Sequence, residues 1–178
     1  HGLGVDLDGA YAEYVKVRED MVLALPESLT FEEGAMVEPL GVAMHAVNRT
    51  PLLLCESLVI IGAGTIGLLT LLSARLKGAG KIIMIDTDDD RLAFAKKLGA
   101  DEIVNSKTTD PLEFVKSATN GRGADGVIEA VGISPTAALS LQIAANGAHV
   151  TWIGNSQPMV EINMQQIVTR ELTVSGSY

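Results

Sequence analysis

The chain has 178 residues, 47% of them apolar, with 13 Lys and Arg against 22 Asp and Glu and a net charge of −9. That apolar share can bury a core and excludes a disordered tail, while an acidic balance without a basic cluster excludes a nucleic-acid or anionic-membrane partner. The single cysteine, Cys55, excludes an intrachain disulfide and a cysteine-rich zinc lobe within these residues.

The first residue is His1 rather than Met, and no basic region precedes an apolar run, so residues 1–10 are not a signal peptide. The chain is read as a fragment or processed form, located in the cytoplasm. Ala10–Val17 alternates apolar and polar residues and predicts a strand, with Val22–Leu25 as a possible second. Pro26–Leu29 reads as a turn, and Phe31–Val37 and Pro39–Val47 as helices. No complete second core is visible before residue 58. Residues 1–38 are therefore expected to be the remnant of another domain and its linker, and residues 39–178 one domain.

From Leu58 onward, short β-branched runs alternate with helical stretches. Strands are predicted at Leu58–Ile61, Lys81–Ile85, Glu102–Val104, Gly126–Glu129, Ala148–Ile153 and Leu172–Ser175. Helices are predicted at Thr65–Lys77, Asp89–Leu98, Pro111–Ala118, Pro135–Ala144 and Met164–Arg170. Connections of this kind specify parallel strands with helices on both faces. The expected fold is α/β, a doubly wound six-stranded parallel Rossmann sheet. Ser57–Ala74 carries no charge, but Gly62, Gly64 and Gly67 interrupt it, so it is not read as a membrane span. The last strand would be a sheet edge, which predicts a homodimer through Leu172–Ser175.

The strongest motif is Gly62-Ala63-Gly64-Thr65-Ile66-Gly67, directly after a strand and at the start of a helix. Gly62 would allow the tight turn, Gly64 the close approach of a pyrophosphate, and Gly67 close helix–strand packing. Free N–H groups at the helix start would face the anion. Asp86 closes the second strand 19 positions after Gly67, where a carboxylate can accept both hydroxyls of an adenosine ribose. A 2′-phosphate about 4 Å from it would be repelled by about 4 kcal/mol at an effective dielectric near 20. Asp88, Asp89 and Asp90 add to this, and Thr87 supplies no base. NAD is therefore expected over NADP. A competing reading makes the glycines packing residues only, with Asp86 capping the next helix.

With these residues in view, the sequence resembles the medium-chain dehydrogenases, and within them the zinc-dependent sorbitol, polyol and threonine dehydrogenases. Four stretches carry the resemblance: Asp8–Tyr14 (DGAYAEY), Glu38–Ala46 (EPLGVAMHA), Val59–Gly67 with Asp86 and Arg91, and Glu129–Gly132 (EAVG) with Trp152–Gly154 (WIG). It implies that the first segment belongs to a β-rich catalytic domain. It implies that Ile66 lies against the cofactor, and that Asp86 and Arg91, beside Thr87, hold the adenosine ribose. It implies that Val131 lines the adenine side and that Ile153, Gly154 and Asn155 run beside the nicotinamide. Gly176, Ser177 and Tyr178 would finish the cofactor site.

Glu38 matches a glutamate at or beside the catalytic zinc, although an acid before Pro39 at a helix start is favourable without any metal. The family's other zinc ligands precede the AEY strand and do not occur here. Cys55 stands where the family usually has glycine and is read as a tolerated loop change. His45 follows Glu38 by seven residues, about 10.5 Å along a helix, too far to share one zinc. His45 is read as a local helix residue, His149 as a rim residue and His1 as an added terminal residue. Gly132-Ile133-Ser134 is not a nucleophile elbow, because residue 136 is Thr.

The resemblance implies the cofactor part of a zinc- and NAD-dependent oxidoreductase acting on a polyol or another secondary alcohol. This chain alone is expected to bind NAD weakly without turnover, with a tetramer left open for a full-length parent. The alternatives are a zinc-free quinone reductase of the same superfamily and a dinucleotide-binding module without chemistry.

Overall fold

The computed structural model describes residues 2–178; His1 lies outside the described residues. The chain divides into two compact units, one up to Ala35 and one spanning Met36–Tyr178.

The first unit has little regular structure. A single bridge joins Leu3 and Leu7, a 3-10 turn spans Glu19–Met21, and α1 spans Phe31–Ala35. Thr30 and Glu33 cap α1 reciprocally: the Glu33 N–H donates to Thr30 Oγ1, and the Thr30 N–H to the Glu33 carboxylate. The Thr30 backbone N–H first, and its hydroxyl second, donate to the Glu33 carboxylate and hold it below its ordinary value. The strands expected at Ala10–Val17 and Val22–Leu25 do not form. Alternation prepares a segment to be half-buried, but a strand exists only when a neighbour satisfies its N–H and C=O groups. No segment of this unit pairs with either stretch among the described residues, and Tyr11 and Tyr14 stay exposed.

The second unit begins with α2 (Val37–Arg49). It then alternates β1 (Leu58–Ile61), α3 (Thr65–Lys77), β2 (Ile82–Asp86), α4 (Asp89–Lys97), β3 (Glu102–Asn105), α5 (Pro111–Ala118), β4 (Ala124–Glu129), α6 (Ser134–Ile143), β5 (Ala144–Trp152), α7 (Met164–Thr169) and β6 (Thr173–Gly176). Pro39 sits in the first turn of α2, where its missing N–H would have no helical partner anyway. All neighbouring strands are parallel, in the order β3-β2-β1-β4-β5-β6. The expected α/β sheet is present with its switch point between β1 and β4, and β6 is an edge as anticipated.

Successive residues of β1 feed opposite faces. Leu58 and Ile60 pack with Leu71, Ile82, Met84 and Leu92, and Val59 and Ile61 with Val115, Val127, Leu141 and Val150. Each such side chain contributes about 1.5–3 kcal/mol by burial. Helix α2 belongs to the first layer through Val47, and its end is tied into the sheet. Thr50 Oγ1 bonds Thr151 Oγ1 at 2.8 Å, and Arg49 Nε donates to the Gly176 carbonyl at 2.6 Å. At the far edge Arg75 donates to Asp101 at 2.6 Å. Burial pushes the Asp101 carboxyl up, but the bond from Arg75, the Ile82 N–H and the charges of Arg75 and Lys96 outweigh it and hold the carboxyl below its ordinary range.

One local difference from expectation has a physical cause. Strand β5 begins at Ala144 rather than Ala148, so His149 lies within the strand and not at its start. The chain bulges at Asn146-Gly147, with Gly147 at φ 74°, and resumes pairing. Arg170 holds the bulge from outside, donating to the carbonyls of Leu141 and Ala144 and to Asn146 Oδ1. Cys55 occupies the left-handed region at φ 67°, which disfavours an L residue by about 1–2 kcal/mol. Cys55→Gly is therefore expected to stabilise the fold by about 1 kcal/mol, after the extra unfolded-state entropy of glycine is subtracted. A higher urea midpoint at unchanged slope is the measurement.

Candidate functional site

The turn between β1 and α3 is built by exclusion of side chains. Gly62 has φ 101°, and its N–H donates to the Ile85 carbonyl at 2.7 Å. A Cβ on Gly67 would lie 1.8 Å from the Gly62 carbonyl oxygen, so only glycine lets α3 start this close to β1. A Cβ on Gly64 would meet nothing within 4 Å. Gly64 therefore leaves open space above the first turn of α3, where Thr65 is exposed and Ile66 half-buried. That first turn carries no acidic residue to compete for an anion.

Asp86 ends β2 beside this turn. Its Oδ2 accepts the Ala63 N–H at 2.6 Å, and its Oδ1 accepts the N–H groups of Thr87 at 2.7 Å and Asp88 at 3.0 Å. The carboxylate thus joins the glycine turn to the end of β2. It does not cap α4: that role falls to Asp88, which accepts the N–H groups of Asp90 and Arg91. Arg91 lies exposed in the first turn of α4, and its side chain has no partner among the described residues.

Val131, Ile153, Gly154, Asn155, Ser177 and Tyr178 follow the carboxyl ends of β4, β5 and β6. The sheet therefore brings every expected cofactor residue to one end, the end at which parallel sheets of this order take ligands. Val131 touches the glycine turn, since a Cβ on Gly62 would lie 2.8 Å from Val131 Cγ2. The Ser177 N–H donates to the Trp152 carbonyl at 2.9 Å, while Ser177 Oγ is buried without a partner among the described residues. Tyr178 is exposed. A cradle without side chains, a fixed carboxylate and an orphaned hydroxyl fit a dinucleotide with its phosphates at the turn.

Zinc does not fit these residues alone. Glu38 is exposed in the first turn of α2, and His45 is exposed on the same helix. Among the described residues no three His, Cys, Asp or Glu side chains gather as a metal site. One carboxylate is too few where zinc takes three or four protein ligands.

Glu129 lies within the EAVG stretch, where the sequence alone assigns it no role. It is 1% exposed at the end of β4, and the available signal was an acid closing an apolar strand. Two large surface hollows lie elsewhere. One, about 920 Å³, is lined by residues between Leu3 and Arg18. Another, about 660 Å³, is lined by Lys116, Arg122 and Arg170, whose charges are already engaged by Glu113, Asp125 and backbone carbonyls.

The family profile described as zinc-binding dehydrogenase matches residues 65–178. The chain is 36% identical over 173 residues to sorbitol dehydrogenase of Bacillus subtilis, covering 97% of this chain and 49% of that protein. Galactitol-1-phosphate dehydrogenase of Escherichia coli superposes with a TM-score of 0.88 at 32% identity, covering 99% of this chain and 52% of that one. A chain from Sinorhizobium meliloti solved bound to NADP gives 0.91 at 33% identity, covering 99% and 53%. This chain spans about half the length of the curated relatives it matches. No helix among the described residues is long and apolar enough to cross a membrane.

Proposed function

This chain belongs to the zinc-binding dehydrogenase family, and from that premise we propose that residues 39–178 are the NAD-binding domain of an oxidoreductase acting on a polyol or another secondary alcohol. Residues 1–38 are assigned to the catalytic domain and its linker. The observation that carries the reading is the meeting of Asp86 with the Ala63 N–H beside the open space at Gly64.

Bound NAD would supply the hydride acceptor. This chain's residues bind and orient it. Gly62, Gly64, Thr65, Ile66 and Gly67 form the phosphate cradle, and free N–H groups of α3 point into it. Asp86, Thr87 and Arg91 take the adenosine ribose, and Val131 takes the adenine side. Ile153, Gly154, Asn155, Ser177 and Tyr178 line the nicotinamide side. Glu38 is proposed as one zinc ligand of a catalytic centre that residues outside this chain would complete, and no step here depends on it. The nearby acids favour NAD over NADP, because Asp86 is followed by the neutral Thr87 and by Asp88, Asp89 and Asp90. The same reading places the protein in the cytoplasm and makes the β6 edge a homodimer contact.

Calorimetric titration with NAD and with NADP at one salt concentration is the test. NAD is expected to bind with an enthalpy that NADP does not match. Tighter NADP binding would favour the quinone reductase alternative, and binding of neither would remove the dinucleotide reading from this chain. Light scattering at high concentration checks the dimer, which a monomeric mass would contradict.

A further inference from the structure

Glu129 performs two anchoring tasks at once. Its Oε1 accepts the N–H groups of Val131 at 3.0 Å and Gly132 at 2.8 Å. Its backbone carbonyl accepts those of Ile153 at 2.8 Å and Gly154 at 3.0 Å. Its other carboxyl oxygen lies against Gly154, where a Cβ would approach Oε2 to 2.5 Å. One buried residue therefore holds the first residues of both loops that leave β4 and β5.

Those loops are locked together beyond Glu129. Gly132 has φ 83°, and a Cβ there would lie 2.2 Å from the Asn155 nitrogen. The Gln157 N–H donates to the Gly132 carbonyl at 2.8 Å, and Ser156 Oγ to the Val131 carbonyl at 2.6 Å. The pair meets the glycine turn on its other side: Val131 touches Gly62, and Ile153 packs in the apolar layer that contains Ala63.

We propose that Glu129 is a positioning residue for the dinucleotide, holding Val131 against the glycine turn and Gly154 against Val131 so that this wall of the cleft is in place before the ligand arrives. The proposal rests on the dinucleotide reading of the site. Its physical basis is preorganisation: a wall that had to order on binding would draw its ordering entropy from the affinity. The carboxyl group suits the task because a single oxygen can accept two converging N–H groups. An apolar replacement would leave both donors unpaired in a buried place.

The test uses Glu129→Ala and Glu129→Gln, the second retaining a carbonyl oxygen for the two N–H groups. Amide hydrogen exchange without ligand comes first. Val131 and Gly132 are expected to exchange at least about 30-fold faster in the Ala variant and a few-fold faster in the Gln variant, with Val59 and Ile83 unchanged. NAD titration then follows the emission of Trp152, the chain's single tryptophan, which ends β5 next to Ile153. The Kd is expected to rise about 30-fold in Glu129→Ala and about threefold in Glu129→Gln.

Unchanged exchange at Val131 and Gly132 would overturn the anchoring. An unchanged Kd well below the unfolding midpoint, with exchange accelerated, would overturn positioning and leave a merely structural role. Should Glu129→Ala fail to fold, the same two readings on Glu129→Gln decide. Wild-type protein that binds neither NAD nor NADP, with the exchange effect intact, would locate the failure in the dinucleotide reading.

Discussion

Gly64→Ala and Gly67→Ala are expected to separate binding from folding at the glycine turn. In Gly67→Ala the new methyl would lie 1.8 Å from the Gly62 carbonyl oxygen. That oxygen cannot retreat easily, because the Gly62 N–H is held by Ile85 and its backbone already sits at φ 101°. Helix α3 must move off β1, disturbing the layer that buries Leu71 and Ala74. Overpacking typically costs about 1–3 kcal/mol, and a backbone obstacle places this substitution at about 3 kcal/mol or more. In Gly64→Ala a Cβ meets nothing within 4 Å and the residue keeps a negative φ of −76°. Gly64 is the N-cap of α3, where glycine is favoured over alanine, so the loss of stability should be about 1 kcal/mol or less, well short of that in Gly67→Ala. The methyl would nevertheless occupy the space left for a pyrophosphate, so NAD affinity should fall about 100-fold. Urea unfolding and NAD titration of the two variants check this. Equal losses of stability would contradict it.

Asp86→Asn is expected to reduce NAD affinity about tenfold or more and to erase most of the discrimination against NADP. The carboxylate makes three hydrogen bonds to backbone N–H groups. Asparagine keeps one acceptor oxygen, so either Ala63 or the Thr87–Asp88 pair loses its partner and the turn loosens. The charge is removed as well, and with it the main repulsion toward a 2′-phosphate. Charge-assisted bonds are roughly twice as strong as neutral ones, so the neutral amide holds both the turn and a ribose more weakly. Parallel titrations with NAD and NADP at fixed ionic strength are the measurement, because surface charges are screened within about 10 Å at 0.1 M salt. A variant that discriminates as well as wild type would move the selectivity to other residues.

The elements of the Met36–Tyr178 unit were legible because they are locally specified. Pro111 at the start of α5, the apolar run Leu58–Ile61 and the glycine turn each carry their own signal, and each lies where the pattern placed it. The start of β5 at Ala144 was not legible, for the complementary reason: the bulge that follows it depends on Arg170, 24 residues beyond Asn146 in the chain.

The sequence by itself determined the parallel α/β architecture of residues 58–178 and the glycine–acid pairing of Gly62, Gly64, Gly67 and Asp86. Hydrophobic period, glycine spacing and strand-closing acids are written residue by residue. Only the tertiary structure decided three other matters. Ala10–Val17 finds no strand partner among the described residues of its unit, because hydrogen bonds between strands belong to pairs of segments. Asp86 is a tie to Ala63 as well as a candidate ribose acceptor, because a carboxylate's partners depend on what the fold brings within 3 Å. Glu129 joins the loops after β4 and β5, because those loops are neighbours only once the two strands lie side by side in the sheet.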